Sequence, residues 1–235
     1  MTTQDVLDEL KAVAKPSIKK VLMNHGACEP FYGVSVGDLK KIQKRIKRDH
    51  ALALELYETG ISDAMYLAGL IVDDSRMTKK DLDRWVKQAY WYLLSESTVP
   101  WVAAESPHGW SLGLEWIESK SEGIAAAGWS TLGTLLTIKK DEELDLDKIQ
   151  GLLDRVATTI HSQPNRVRHQ MNGFVIDVGS YVLALSGKAM EVADKIGVVK
   201  VDMGGTACKV PAARESIEKV HASGKAGKKR KTAKC

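Results

Sequence analysis

The stretch Ser35–Lys47, SVGDLKKIQKRIK, shows in miniature how most of this chain folds. Its apolar residues recur at intervals of three and four positions: Val36, Leu39, Ile42 and Ile46. That period is typical of an amphipathic α-helix, which buries one face and leaves the others to water. Ser35 and Asp38 have the spacing of a capping box, so the sequence predicts that a helix starts here.

The same combination of a helix-starting residue and an apolar periodic run recurs along the chain. Further starts are predicted at Ser62, Thr78, Ser121, either Asp145 or Asp147, and Pro164. About a dozen helices of roughly 10 to 20 residues fit between these starts, whereas alternation with period two is nearly absent. The one extended-looking piece covers residues 197–203. The sequence therefore predicts an all-α protein.

The predicted helix pairs begin at intervals of roughly 25 to 40 residues, which is the scale of HEAT-like repeats. This spacing favours a HEAT-like α-solenoid of antiparallel helix pairs, with a concave face suited to a long ligand. A generic helical bundle is the alternative.

The charge of the chain is unevenly distributed. Six of its lysines and arginines lie in residues 221–235, which contain no acid, so the first 220 residues are slightly acidic although the whole chain carries +4. We expect residues 1–220 to form a single domain and residues 221–235 to be a disordered basic tail, because the tail is too polar to fold. Such a tail can bind a polyanion or simply improve solubility.

The sequence also argues against several classes of protein. It has no run of about 18 apolar residues, and its first residues do not have the pattern of a secretory signal. The cysteines Cys28, Cys208 and Cys235 form no C-x-x-C pair. We therefore expect reduced thiols in a cytoplasmic monomer, associated with the nucleoid if the source is bacterial, with no metal, no cofactor and no membrane partner.

The segment Phe31–Lys44, FYGVSVGDLKKIQK, resembles the signature of the AlkD-like DNA alkylation repair family. The late segment 168–182, RHQMNGFVIDVGSYV, and the helical pattern extend this resemblance over roughly Val6 to Leu185. The resemblance implies a HEAT-like solenoid that holds duplex DNA against a basic concave face. Active members of the family excise cationic alkylated purines.

The resemblance also indicates where the catalytic residues should lie. Active members carry a carboxylate four residues after a tryptophan, and the matching stretch here is ESTVPWVAA, residues 96–104. Glu96 then stands at the tryptophan position and Pro100 at the aspartate position. Proline cannot stabilise an oxocarbenium-like charge, so we expect no catalytic residue at this position. The available carboxylates are Glu96, Glu105 and Asp177.

Of two more family positions, one supports this expectation and the other is kept. The helix that follows in the family carries an arginine, but the matching segment here offers only Ala125, Ala126 and Ala127. The later aromatic position is retained as Phe174.

Candidate DNA-binding residues fall in three places. They are Lys40, Lys41 and Lys44 on the first basic helix, Arg166, Arg168, His169, Asn172 and Phe174 on a later helix, and Lys209 near the end. Residues spaced by four share a helix face and could follow a phosphate backbone. The alternatives are a solvated face for the first helix and hydrogen bonds between repeats for the second.

The segment Val201–Pro211, VDMGGTACKVP, is a possible phosphate loop formed by Gly204, Gly205 and Thr206 with Lys209 nearby. It is not a P-loop motif, so nucleotide hydrolysis is not expected. Glycine amides ahead of a helix could bind one backbone phosphate. The alternative is a tight turn that docks the last helix and buries Cys208.

Taken together, the sequence predicts a protein that binds DNA backbone or a DNA structure without strong base excision. One alternative is a glycosylase that releases 3- or 7-methylpurines through a displaced carboxylate. Another is a protein-interaction solenoid with a basic tail.

Overall fold

The computed structural model describes residues 1–234, and thirteen α-helices lie within them. Their bounds are α1 (Thr3–Val13), α2 (Pro16–Asn24), α3 (Val36–Ile46), α4 (His50–Glu58), α5 (Ser62–Ile71), α6 (Lys79–Gln88), α7 (Val99–Glu105), α8 (Gly109–Trp116), α9 (Glu122–Ile138), α10 (Leu146–Thr159), α11 (Asn165–Tyr181), α12 (Ser186–Ile196) and α13 (Ala213–Ala222). No strand occurs in this part of the chain, so the all-α prediction is confirmed.

Local capping explains several of the helix starts. The Ser35 hydroxyl accepts a hydrogen bond from the Asp38 amide at 3.1 Å, and α3 begins directly after it. Thr78 and Asp81 form a reciprocal capping box at the start of α6. Asp145, rather than Asp147, caps α10 by accepting from the Lys148 amide at 3.0 Å. Side-chain oxygens at these positions satisfy amides that the first helical turn leaves unpaired.

The helices form two layers. In one layer, α5, α7, α9, α11 and α13 pack side by side, and this layer is called the central row below. In the other layer α4 covers α5, α8 covers α9, and α12 covers α11. The apolar core lies between the layers in two clusters, one built mainly on α1–α8 and the other on α9–α13.

The signature segment forms a loop that is anchored on α5. The Asp63 carboxylate accepts hydrogen bonds from the Tyr32 and Val34 amides at 2.6 and 2.8 Å. Between them, Gly33 has a φ of +95°, and an added Cβ would lie 2.7 Å from the Lys19 side chain. Only glycine suits that conformation and that close approach.

Residues Leu94–Thr98 form a π-helical turn that leads into α7. Pro100 has no N–H to donate to the Glu96 carbonyl one turn earlier, so a regular α-helical bond is impossible there. The Ser130 hydroxyl on α9 donates to that carbonyl instead, at 2.7 Å. The proline therefore explains the irregular turn and ties it to the neighbouring helix.

The C-terminal segment, for which the sequence predicts disorder, follows a defined path in the structure. Residues 223–234 lie against the body, and Ala233 is 1% exposed. Composition alone predicted disorder because the segment has almost no apolar side chains. Its backbone and two of its lysines instead find acceptors at the ends of the central-row helices.

Candidate nucleic-acid interface

A buried ion pair joins the π-helical turn to α11. Arg166 Nε donates to Glu96 Oε1 at 2.6 Å, and a second guanidinium nitrogen contacts the other carboxylate oxygen. Gln170 Nε2 donates to Glu96 Oε2 at 2.5 Å. The side chains of Glu96 and Arg166 are only 5% and 18% exposed, and the guanidinium lies 4.4 Å from the centre of the Tyr92 ring. This group is called the Glu96–Arg166 cluster below.

The electrostatics of the cluster leave little free charge. Burial raises the pKa of Glu96, and the hydrogen bonds from Arg166 oppose that rise. Burial, together with the charge of Arg166, lowers the pKa of His169 to about 4, so its imidazole is neutral at physiological pH. In this arrangement the Arg166 cation is already paired and the His169 side chain is uncharged, while their contact with phosphate stays a prediction.

Two further residues predicted to contact DNA are buried. Phe174 is 1% exposed, and its ring packs against Trp129 with centroids 5.3 Å apart. Asn172 is also 1% exposed and donates to the Pro211 carbonyl at 2.9 Å, which docks the segment ahead of α13. Contact of either side chain with DNA stays a prediction, and it would require the core to rearrange.

The carboxylates considered for catalysis have separate environments. Pro100 is buried, so the family's aspartate position does not face solvent. Glu105 accepts a hydrogen bond from the Ala233 amide at 2.6 Å and so holds the tail. Asp177 lies beside Gly133 on α9, where an added Cβ would be 2.5 Å from its Oδ2. Burial raises the pKa of Asp177 to about 7, and nearby Arg230 opposes that rise.

A basic depression forms where α11 meets residues 198–210. Arg168, Lys200 and Lys209 line it together with Asn165 and Asp202. The structure thus brings together two of the predicted DNA-binding residues, Arg168 and Lys209, and adds Lys200. The Nε atom of Arg168 is buried without a hydrogen-bond partner among residues 1–234.

Part of the glycine loop is hydrogen-bonded to side chains of the loop itself. The Gly204 amide donates to the Asp202 carboxylate at 2.8 Å, and the Cys208 amide donates to the Thr206 hydroxyl at 3.3 Å. These intraloop bonds occupy two of the amides of the loop, one of them with an acid. α13 begins only at Ala213, so its N-terminus is not at Gly205 either. The phosphate loop stays a prediction, whereas the alternative burial of Cys208 is wrong, because Cys208 is exposed.

The basic face of α3 is partly paired. Lys41 contacts Asp38 at 2.8 Å, and Lys40 is half-buried. Lys44 is exposed and lines a second depression with Lys47 and Arg48. Thr232 and Lys234 of the tail line the same depression.

Sequence reasoning missed the Glu96–Arg166 cluster and the way the tail docks. The cluster joins positions 70 residues apart, for which a helical period gives no signal. The period of α11 did contain a usable signal for Phe174, because Val167, Met171, Phe174 and Val178 share one face and all are buried.

The described residues hold no group of three or more His, Cys, Asp or Glu side chains placed to bind a metal ion. Among their helices, none is long and apolar enough to cross a membrane. Cys28 and Cys208 are free and exposed, while the prediction for Cys235 lies outside the described residues.

These layers of stacked helix pairs, with basic depressions along their edges, define a HEAT-like α-solenoid. Residues 6–218 match the model of the family described as DNA alkylation repair enzyme. The chain belongs to that family, which confirms the resemblance seen in its sequence.

Two curated relatives and one solved structure show similar proteins. The uncharacterized protein Lin0241 of Listeria innocua is 37% identical over 226 residues, covering 93% of this chain and 97% of the relative. Lmo0209 of Listeria monocytogenes is 36% identical over the same length. The solved structure is described as a new family related to the HEAT-like repeat DNA glycosylases with affinity for branched DNA structures. It matches with a TM-score of 0.92 and 39% identity over 100% of both chains.

Proposed function

We propose that this protein binds branched DNA through its phosphate backbone and does not efficiently excise bases. The main support is the similarity to a solved structure from a family with affinity for branched DNA. The two chains are 39% identical and match over their full lengths. The basic depressions at Arg168–Lys209 and at Lys44–Arg48 support phosphate contact, because exposed lysines and arginines bind a backbone without reading its sequence.

The absence of base excision is supported by the positions of the carboxylates. Pro100 is buried at the family's aspartate position, Glu96 is paired with Arg166, and Glu105 holds the tail. Excision of a purine needs a carboxylate that faces the developing positive charge on the sugar. We further propose that the protein acts as a cytoplasmic monomer, on the nucleoid if it is bacterial.

Asp177 is the observation that favours a second candidate, a glycosylase with a displaced carboxylate. Burial raises its pKa to about 7, which would leave it partly ionised at neutral pH. Release of 3- or 7-methylpurine from alkylated DNA by the wild-type protein, lost in Asp177→Asn, would establish that activity.

The test of DNA binding is a titration of the full chain against fluorescent linear duplex, a three-way junction and a four-way junction of matched length. We expect tighter binding to the junctions and a steep fall in affinity with salt. No affinity for any DNA at low salt would contradict the proposal and favour a protein-interaction solenoid.

A further inference from the structure

The tail follows a defined path across the central row. The Gly227 amide donates to the Ser180 carbonyl at 2.8 Å in the last turn of α11. The Arg230 amide donates to the Thr137 carbonyl at 2.7 Å in the last turn of α9. The segment then reaches Glu105 at the end of α7. It therefore meets the C-terminal ends of successive central-row helices in reverse order.

Two lysines anchor this path. Lys229 Nζ donates to the carbonyls of Leu136 and Tyr181, both at 2.9 Å, and pairs with Asp141 at 2.8 Å. Lys234 Nζ donates to the Val72 carbonyl at the end of α5 at 3.3 Å. Helix C-termini carry unpaired carbonyls and a partial negative charge, so an ammonium is a suitable cap.

The residue types on either side of the anchoring lysines also suit this path. Gly227 has a φ of +71°, and an added Cβ would lie 2.9 Å from Leu183. Ala233 is 1% exposed, and its amide donates to Glu105 at 2.6 Å. Lys234 also pairs with the buried Asp74 at 2.8 Å. These features make the segment a docked strap.

The remaining cations of the strap face outward. Lys225, Lys228, Arg230 and Lys231 are exposed, and within the described residues none of the four forms an ion pair, although the charge of Arg230 acts on Asp177. The anchoring lysines are only 17% and 13% exposed. At its far end the strap meets the depression lined by Lys44, Lys47 and Arg48. The two acids of that depression, Asp74 and Glu105, are bonded by the strap itself, so its lysines and arginine continue the row of positive charge.

The length of this row suits a duplex. From α11 to α5 the strap crosses three helix-to-helix spacings of ~8–10 Å, or about 24–30 Å in all. At ~3.4 Å per base pair, that distance spans roughly seven to nine base pairs.

We propose that residues 225–234 are a fixed strap whose outward cations, Lys225, Lys228, Arg230 and Lys231, form a phosphate-contact ridge continuous with Lys44 and Lys47. This inference rests on the proposed DNA binding and names the surface that carries it. The inward lysines have a different role: Lys229 and Lys234 hold the ridge in place.

The binding test compares two triple variants of the full chain. K225Q/K228Q/K231Q removes ridge charge and spares both anchors, whereas K80Q/K120Q/K148Q removes the same charge from exposed lysines elsewhere. We expect the ridge variant to reduce the slope of log K against log salt by about 2 to 3, since each lost phosphate contact contributes ~0.9. The control variant should leave that slope unchanged.

Anchoring is tested separately by hydrogen exchange of the C-terminal peptide. We expect protection at Gly227, Arg230 and Ala233 in the wild type and its loss in Lys229→Ala. Complete exchange of the wild-type peptide at the first time point would overturn the strap.

The outcomes separate the two proposals. If the wild-type protein binds junctions and both triple variants show the same slope of log K against log salt, the ridge is overturned and the proposed function stands. A wild-type protein that binds no DNA overturns both. A reduced slope in the ridge variant alone, with a protected peptide, supports the inference.

Discussion

Removing Arg166 should make the stability of the protein depend strongly on pH. In Arg166→Met, Glu96 loses the 2.6 Å hydrogen bond and the second guanidinium contact, and its 5% exposed side chain keeps only Gln170. Breaking a buried pair from one side costs about 3–5 kcal/mol, because the other charge stays buried. For a chain of this size, ~2–4 °C per kcal/mol gives a fall in Tm of about 6–20 °C near pH 8.

The sign of the pH effect follows from Glu96. Its pKa is already raised by burial, and the loss of Arg166 removes the hydrogen bonds that opposed the rise. A carboxyl whose pKa is higher in the folded state contributes stability below its unfolded pKa, and loses it as pH rises through the folded value. The variant should therefore be closest to the wild type near pH 5 and furthest from it near pH 8.

Thermal unfolding followed by circular dichroism at several pH values measures both effects. The matched control is the double variant E96Q/R166M, which removes both charges and should recover most of the loss near pH 8. The reasoning would be refuted by a loss below about 1 kcal/mol that does not change with pH, or by a double variant no more stable than the single one.

Three other substitutions test separate parts of the structure. Asp177→Asn should gain stability relative to the wild type as pH rises from about 4 to 7, by at most about 4 kcal/mol, because burial raises the pKa of the native carboxyl to about 7. Parallel denaturant titrations would measure the difference in free energy of unfolding between the two proteins. A difference that stays constant with pH would contradict the burial argument. Gly33→Ala should destabilise the protein by roughly 1–3 kcal/mol, because φ is +95° there and the added Cβ would lie 2.7 Å from Lys19. Gly151→Ala on α10 should instead stabilise it by about 0.5–1 kcal/mol, because the added Cβ meets nothing within 4 Å. Urea unfolding of both variants measures this contrast, and equal effects would refute it. Pro100→Asp should lower the urea midpoint without producing methylpurine release from alkylated DNA, because the position is buried. A stable variant that excises bases would support the family register but show that the burial argument is mistaken.

The helices could be predicted because their signals are local. Ser35, Thr78 and Asp145 each cap the helix that follows them, and a cap needs only residues a few positions away. The family resemblance likewise depended on one contiguous segment. Its structural reason became visible only in the fold, where Asp63 on α5 holds the amides of Tyr32 and Val34.

The candidate site was predicted less well because its contacts are long-range. The positions of Arg166 and Asn172 in the sequence of α11 give no information about their partners. Arg166 is paired with Glu96, and Asn172 donates to the Pro211 carbonyl. The glycine loop illustrates a related point, because the Gly204 amide is already bonded to Asp202 within the loop. A motif gives the conformations that are available, but partners elsewhere in the chain decide which groups stay free.

The tail shows the limit of compositional reasoning. Lys228 and Lys229 are adjacent and chemically identical, yet one is exposed and the other bonds two helix-terminal carbonyls. Composition predicted disorder because it counts apolar area and net charge. It does not register acceptors at the ends of helices far away in sequence.

The most direct test of the account is the affinity of the full-length wild-type protein for a four-way junction relative to a linear duplex of the same length and composition. The account predicts tighter binding to the junction at about 50 and 200 mM salt, with affinity for both DNAs falling steeply between them. Equal affinity for the two DNAs, or no measurable binding at the lower salt, would contradict it.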